Sequence, residues 1–277
     1  MLFFLPIVWL LDCKKRLAAH PNLRYIHSQR VMQTIPDWPY PRWVAHRGAG
    51  KLAPENTLAA FRLGAENGYR MFECDVKLSS DGVPFLLHDD TLERTTDGYG
   101  VAGLQTWAAL QKLDAGRWHS RPYTGEPLPS LDTIAAWCIA NDFDLNIEIK
   151  PTTGTDVQTG EVVARHAARL WQNSARKPLL TSFKPDALQA ANDAEPNLPR
   201  GLLLHELWVG WLETALVLGC QAVVCNHRLW EHSSVRQAKS AGFKTMSYTV
   251  NDESEIQRLL ALGTDGIITD RVDVFKP

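Results

Sequence analysis

From Trp43 to the C-terminus, short β-rich runs alternate with longer helical patterns, and few folds accept that rhythm. The strand candidates are Trp43 to His46, Met71 to Val76, Leu145 to Ile149, Leu179 to Ser182, Arg200 to Leu204, Ala222 to Cys225, Lys244 to Thr249 and Gly266 to Thr269. Helix starts carry recognisable signals: Asn56-Thr57-Leu58 after Pro54, Ser130 before Leu131-Asp132, Lys184-Pro185-Asp186, and Asn251-Asp252-Glu253. Strands separated by helices pair in parallel, because the helix is the crossover that returns the chain to the same end of the sheet. Eight such units close most economically into a TIM (β/α)8 barrel, which places reactive groups at the carboxyl ends of the strands. The 277 residues, 45% of them hydrophobic, suffice for one such barrel, which commonly uses about 250. One stretch breaks the rhythm. Between His88 and Leu128 lies far more chain than a βα loop needs, rich in Gly and Thr, with a helical stretch around Thr106 to Leu113. It reads as a small insertion after the second strand, about residues 89–128, covering the site mouth. Its aromatic residues Trp107, Trp118 and Tyr123 are expected to pack it onto the barrel.

Four short motifs fall where an apolar run gives way to a loop: His46-Arg47-Gly48, Glu73-x-Asp75, His88-Asp89 and Glu148-x-Lys150. Residues two apart on a strand share a face, so Glu73 and Asp75 present two carboxylates side by side, as Glu148 and Lys150 present a carboxylate and an ammonium. Adjacent carboxylates repel unless something offsets them. A hard divalent cation, Mg²⁺ or Ca²⁺, prefers oxygen donors and suits Glu73, Asp75 and Glu148, whereas no cysteine or histidine pair stands at zinc spacing. For any one acid alone, a salt bridge or a solvated strand end is the competing explanation. Histidine exchanges a proton near neutrality, and cleaving a phosphodiester needs one group to take a proton from the nucleophile and another to give one to the leaving alkoxide. His46 and His88 are expected to form that base and acid pair, while Arg47 and Lys150 supply fixed positive charge for the substrate phosphate. His20, His27, His119, His166, His205, His227 and His232 have no comparable context.

A formal net charge of −2 and a pI near 6.5, without a dense Lys/Arg stripe, argue against nucleic acid as a partner. The five cysteines (Cys13, Cys74, Cys138, Cys220, Cys225) are scattered and mostly within apolar runs, and they read as buried free thiols of a reducing compartment, the cytoplasm. Strand alternation turns Cys74 away from its acidic neighbours. Met1 to Leu11 is apolar but too short to span a bilayer, which takes about 20 residues. The basic residues Lys14, Lys15 and Arg16 follow it instead of preceding it, against an export signal. Residues 1–37 are expected to be an N-terminal extension outside the fold, with residues 38–277 the barrel domain. No membrane partner is expected.

The chain resembles the glycerophosphodiester phosphodiesterase family, and most closely its cytoplasmic bacterial members. The matching stretches are Val44-Ala45-His46-Arg47-Gly48, Leu52-Ala53-Pro54-Glu55-Asn56-Thr57, Glu73-Cys74-Asp75, Leu87-His88-Asp89-Asp90, Leu92-Glu93-Arg94-Thr95-Thr96, Gly125-Glu126-Pro127-Leu128-Pro129, Asn146-Ile147-Glu148-Ile149-Lys150-Pro151 and Thr269-Asp270. They run in family order from about Trp38 to the C-terminus. The resemblance implies a TIM barrel carrying an insertion, metal ligands at Glu73, Asp75 and Glu148, a catalytic pair at His46 and His88, and phosphate contacts from Arg47 and Lys150. The implied substrate is a small glycerophosphodiester such as glycerophosphocholine or glycerophosphoethanolamine, split to glycerol 3-phosphate and an alcohol. Two rivals remain in view: a sugar-phosphate isomerase or aldolase-type barrel, which would want a Schiff-base lysine or an enediol base, and a membrane-tethered phosphate-binding protein, which would not need a full acid–base set.

Overall fold

In the computed structural model, which describes residues 38–277, β1 (Trp43–Ala45) pairs in parallel with both β2 (Met71–Leu78) and β9 (Gly266–Thr269), and this double pairing closes the sheet. Between them run β4 (Asp144–Ile149), β5 (Leu179–Ser182), β6 (Arg200–Leu204), β7 (Ala222–Asn226) and β8 (Lys244–Tyr248), each parallel to its neighbours in chain order. The eight parallel strands form the expected TIM barrel, and each sequence-derived strand is present with ends displaced by two residues at most. β1 stops before His46 because Arg47 turns into the left-handed region, at φ 51°.

The chain's capping residues start the helices where the sequence places them. Thr57 Oγ1 accepts from Ala60 N at the head of α1 (Leu58–Glu66), and Ser130 Oγ accepts from Thr133 N at the head of α3 (Leu131–Ala140). Pro185 opens α5 (Pro185–Ala194), and Asp252 caps α8 (Glu253–Leu262). With α4 (Asp156–Leu170), α6 (Trp211–Val217) and α7 (His232–Ser240), these cover the outside of the sheet.

Alternate residues of each strand point inward. Val44, Met71, Leu179, Leu203, Ala222, Val224, Met246 and Ile268 fill the barrel interior, while a second layer, including Phe61, Phe72, Cys74, Ile147 and Val163, packs between sheet and helices. Cys74 therefore faces the helices, as alternation requires. It is buried and free, as are Cys138, Cys220 and Cys225. Cys13, the apolar run Met1 to Leu11 and the rest of the expected extension lie outside the described residues.

The apolar run ahead of His88, which the sequence places at a strand end but outside the eight barrel strands, is a short strand that pairs the other way. β3 (Pro84–Leu86) folds back antiparallel on the end of β2, pairing Val76 with Leu86 and Leu78 with Pro84. His88 thus follows a hairpin strand, not a barrel strand. Beyond it, Leu87, Leu92, Ala102, Leu110, Ala115 and Leu128 build a small core on Phe85, and the helical stretch is only α2 (Trp107–Leu110). Trp107 packs on Phe85 with ring centroids 6.3 Å apart, and Tyr123 packs against the main core. Trp118 stays partly exposed, its indole donating to Ala115 O.

Candidate active site

Register decides where the carboxylates meet. β2 and β4 align Glu73 with Asn146 and Asp75 with Glu148, so Glu73, Asp75 and Glu148 all project into the carboxyl-terminal mouth of the barrel. Their oxygens lie within 4.8 Å of one another, and all three side chains are largely buried. Burial, reinforced by the charges of Asp75 and Glu148, pushes the Glu73 carboxyl well above its usual range. Burial and Asp75 likewise raise Glu148 to about 7. Asp75 goes the other way: burial would raise it, but Arg47 and Lys150 outweigh that and hold it low. Three buried oxygen donors whose charges are only partly offset make a cluster that could hold a metal ion, and a hard cation fits them. Lys150 Nζ sits 3.0 Å from Glu148 Oε1 and 3.2 Å from Asp75 Oδ1.

The turn after β1 brings Arg47 to the same place. Its backbone N–H donates to Glu73 Oε2 (3.1 Å), and its Nη1 donates to Glu55 Oε1 (2.8 Å). Arg47 Nε is buried and 3.2 Å from Asp75 Oδ2, but out of line for a hydrogen bond, so this donor has no protein acceptor. The turn can pack only because Gly48 lacks a side chain. At φ 99°, a Cβ there would stand 2.7 Å from Ala60 Cβ and 2.8 Å from Phe61 N.

Each histidine is held through Nδ1 by a carboxylate, which leaves Nε2 for chemistry. His46 Nδ1 lies 2.7 Å from Asp270 Oδ1, and Asn251 Nδ2 donates to the other Asp270 oxygen at 2.7 Å. His46 Nε2 is 3.8 Å from Glu73 Oε2. His88 Nδ1 lies 2.6 Å from Asp89 Oδ1, and burial holds the His88 imidazole below its usual value. The fold therefore gathers all seven residues singled out from sequence: His46, Arg47, Glu73, Asp75, His88, Glu148 and Lys150.

It also adds residues to which sequence reasoning gave no role. Asn56, at φ 59° and buried, clasps Asp75 from two sides: its Nδ2 donates to Asp75 Oδ2 (2.8 Å), and its Oδ1 accepts from Asp75 N (3.1 Å). Asn tolerates the left-handed region better than most residues and offers both a donor and an acceptor. Asn56→Ala is expected to weaken metal binding ~10–100-fold, the usual effect of removing a hydrogen bond that orients a ligand, and metal titration would measure it. Asp89, Asp270, Glu55 and Arg94 stand in the same sequence motifs, but no spacing rule pairs Asp270 with His46 or Arg94 with Glu55. Lys77, on the Glu73 and Asp75 face of β2, is 1% exposed; its Nζ donates to Asp90 Oδ1 (2.7 Å) and Lys150 O (3.2 Å). So engaged, Lys77 is no free amine for a Schiff base, which counts against aldolase-type chemistry.

Among the other described histidines, His166 pairs with Asp132 and His227 with Glu255, both away from this cluster. A cavity of about 250 Å³ adjoins Glu148 and Lys150 and is lined further by Asp90, Thr153, Asp156 and Phe183. Among the described residues, no helix is long and apolar enough to cross a membrane.

Comparison with known proteins covers the stretch of chain that carries this site. The profile of the glycerophosphoryl diester phosphodiesterase family matches residues 46–274. The glycerophosphodiester phosphodiesterase of Caldanaerobacter subterraneus subsp. tengcongensis is 33% identical over 227 residues, 82% of this chain and 93% of that one. Among solved structures, an Oleispira antarctica phosphodiesterase in complex with the product sn-glycerol-3-phosphate superposes with a TM-score of 0.77 at 33% identity, covering 83% of this chain and 93% of that one. The glycerophosphodiester phosphodiesterase of Agrobacterium tumefaciens superposes with a TM-score of 0.69 at 26% identity, over 85% and 99% of the two chains. This chain belongs to the glycerophosphoryl diester phosphodiesterase family and is a phosphodiester hydrolase.

Proposed function

We propose that this enzyme hydrolyses glycerophosphodiesters such as glycerophosphocholine and glycerophosphoethanolamine to glycerol 3-phosphate and the free alcohol, with Glu73, Asp75 and Glu148 holding one divalent cation, Mg²⁺ or Ca²⁺. The observation that carries this reading is the pairing of a buried carboxylate triad with two histidines, each held at Nδ1 by an aspartate. The Oleispira enzyme's product complex supports the choice of product. When bound, the cation would supply Lewis-acid stabilisation of phosphate charge.

The chain's own residues account for the remaining chemistry. Arg47, with its buried unpartnered Nε, and Lys150 donate to the non-bridging phosphate oxygens, where negative charge is spread in the transition state. His46 Nε2 takes the proton from the attacking hydroxyl, either that of water, which gives glycerol 3-phosphate directly, or that of the glycerol itself, which gives a cyclic phosphate that a water then opens, and Asp270 stabilises the imidazolium that forms. His88 Nε2 gives its proton to the departing alcohol, and Asp89 keeps the ring in register. The buried free thiols support a cytoplasmic setting.

Incubation with glycerophosphocholine and either cation, with and without chelator, tests the reading by assay of glycerol 3-phosphate. Release of product that chelator does not suppress would overturn the metal-dependent part; absence of product with every cation would overturn the substrate.

Metal should also be visible without turnover. The raised Glu73 and Glu148 carboxyls bind protons more tightly in the folded chain than in the unfolded one, so each costs stability as pH rises above about 4.5, and the Glu148 cost is complete above about 7. A cation reverses that cost by favouring the ionised forms. At about 100 times its Kd it should add about 2.7 kcal/mol, or roughly 5–10 °C for a domain of this size. The increment is expected to be larger at pH 8 than at pH 6, where protons compete for the same oxygens. Thermal melts at the two pH values, with and without Mg²⁺ or Ca²⁺, would show it, and an increment that grew toward acid pH would contradict the ligand assignment.

Residues 38–277 contain every strand of the barrel and every group named above, which supports an accessory role for the preceding segment. A chain beginning at Met32 is expected to match the full chain in activity per mole and in thermal midpoint. A drop of more than a few degrees on truncation would refute this.

A further inference from the structure

Arg94 lies in the insertion, on a turn without helix or strand, and its side chain is 44% exposed, yet it makes four hydrogen bonds to two carboxylates. Nε and Nη2 donate to Asp89 Oδ2 and Oδ1 (2.5 and 3.0 Å), while Nη1 and Nη2 donate to Glu55 Oε2 and Oε1 (2.8 Å each). Two bidentate pairs on one guanidinium are far more than a loose surface ion pair, because the planar fork imposes direction on both partners. Each partner carboxylate also reaches a residue of the proposed machinery. Asp89 Oδ1 accepts from His88 Nδ1 at 2.6 Å, and Glu55 Oε1 accepts from Arg47 Nη1 at 2.8 Å.

We propose that Arg94 is a positioning residue that straps the insertion to the β1–α1 loop and thereby sets the orientation of His88 through Asp89 and of Arg47 through Glu55. The inference rests on the reading of His88 as the acid and Arg47 as a phosphate contact.

The physical need is clear on both arms. Asp89 and Glu55 come from different loops, carry like charges, and would separate without a cation between them. The Asp89 side chain would then be free to rotate, and the His88 ring with it, since residues 88–90 lie in no helix or strand and the nearest backbone pairing is the isolated bridge of Thr91 with Val101. Glu55, released from Arg94, could form a two-point pair with Arg47 and draw that guanidinium away from the phosphate. Arg94 already holds the Asp89 carboxyl below its usual range.

The test compares Arg94→Gln and Arg94→Lys with the parent full-length, metal-loaded enzyme. Arg94→Gln should lower kcat for glycerophosphocholine ~10–100-fold, as loss of a group that orients catalytic residues typically does. Arg94→Lys should stay well below the parent, because an ammonium cannot fork onto two carboxylates. Guanidinium chloride at a non-denaturing concentration should restore roughly tenfold of the Arg94→Gln loss through the exposed side of the gap, while ammonium chloride at equal ionic strength should not. On a nitrophenyl ester of glycerol phosphate, whose leaving group needs no proton, the Arg94→Gln loss should shrink, because only the Arg47 arm still counts.

Parent-like kcat in Arg94→Lys, or no guanidinium rescue in a variant with an unchanged melting curve, would overturn the proposal. His88→Ala measured on both esters separates the two failures. If it shows no leaving-group dependence, the acid assignment falls, while rescue of Arg94→Gln still reports on the strap.

Discussion

Replacing Glu73, Asp75 or Glu148 with alanine is expected to lower kcat/KM for glycerophosphocholine by ~10³-fold or more, since the charge stabilisation lost with a metal ligand amounts to several kcal/mol and each 1.36 kcal/mol is a factor of ten. Chelation of the parent enzyme should produce a comparable loss that added Mg²⁺ or Ca²⁺ reverses. Glu148→Gln separates this effect from unfolding. It keeps the shape of the side chain but removes a charge that burial and Asp75 oppose, so the metal-free variant should melt no lower than the parent, while the rise in midpoint on adding metal should disappear. Near-parental rates in Glu148→Gln or in the chelated enzyme would end the three-carboxylate assignment.

His46→Ala and His88→Ala should each cost ~10²–10⁴-fold on glycerophosphocholine, the usual range for a positioned acid or base. The two variants should part company on a nitrophenyl ester of glycerol phosphate. A nitrophenolate leaves without a proton, so His88→Ala should regain much of its rate there and His46→Ala should not; the reverse pattern would exchange the roles. The pH profile carries the same information. His88 must be protonated to act as an acid, and burial lowers its pKa, so kcat/KM is expected to fall as pH rises through a value below that of an ordinary imidazole. In His88→Ala with the nitrophenyl ester that alkaline limb should be lost.

These expectations draw on two kinds of information. The barrel was legible along the chain because its signals are local. Apolar runs, the caps at Thr57, Ser130 and Asp252, and the proline opening α5 each report on a few neighbouring residues. The same locality put Glu73 beside Asp75, and Glu148 beside Lys150, on one strand face, while Cys74 turned toward the helices. The antiparallel pairing of β3 was not legible, because three residues are too short for a period to register and the fold-back depends on the turn from Ser79 to Gly82.

What only the tertiary structure decided is how those pieces face one another. The register of β2 on β4 sets Asp75 against Glu148, and closure of β1 on β9 carries Asp270 to His46 across 224 residues of chain. The left-handed turns at Arg47 and Asn56 aim one backbone N–H at Glu73 and one side-chain amide at Asp75. No periodicity encodes such contacts, since they arise only when separate loops meet over the strand ends. The amino-acid sequence by itself thus determined which fold forms and which seven residues it gathers at the strand ends. The partners that orient those residues, Asp270, Asp89, Asn56 and the Arg94–Glu55 pair, were decided by tertiary closure, because hydrogen-bond geometry between distant segments exists only once the barrel has closed.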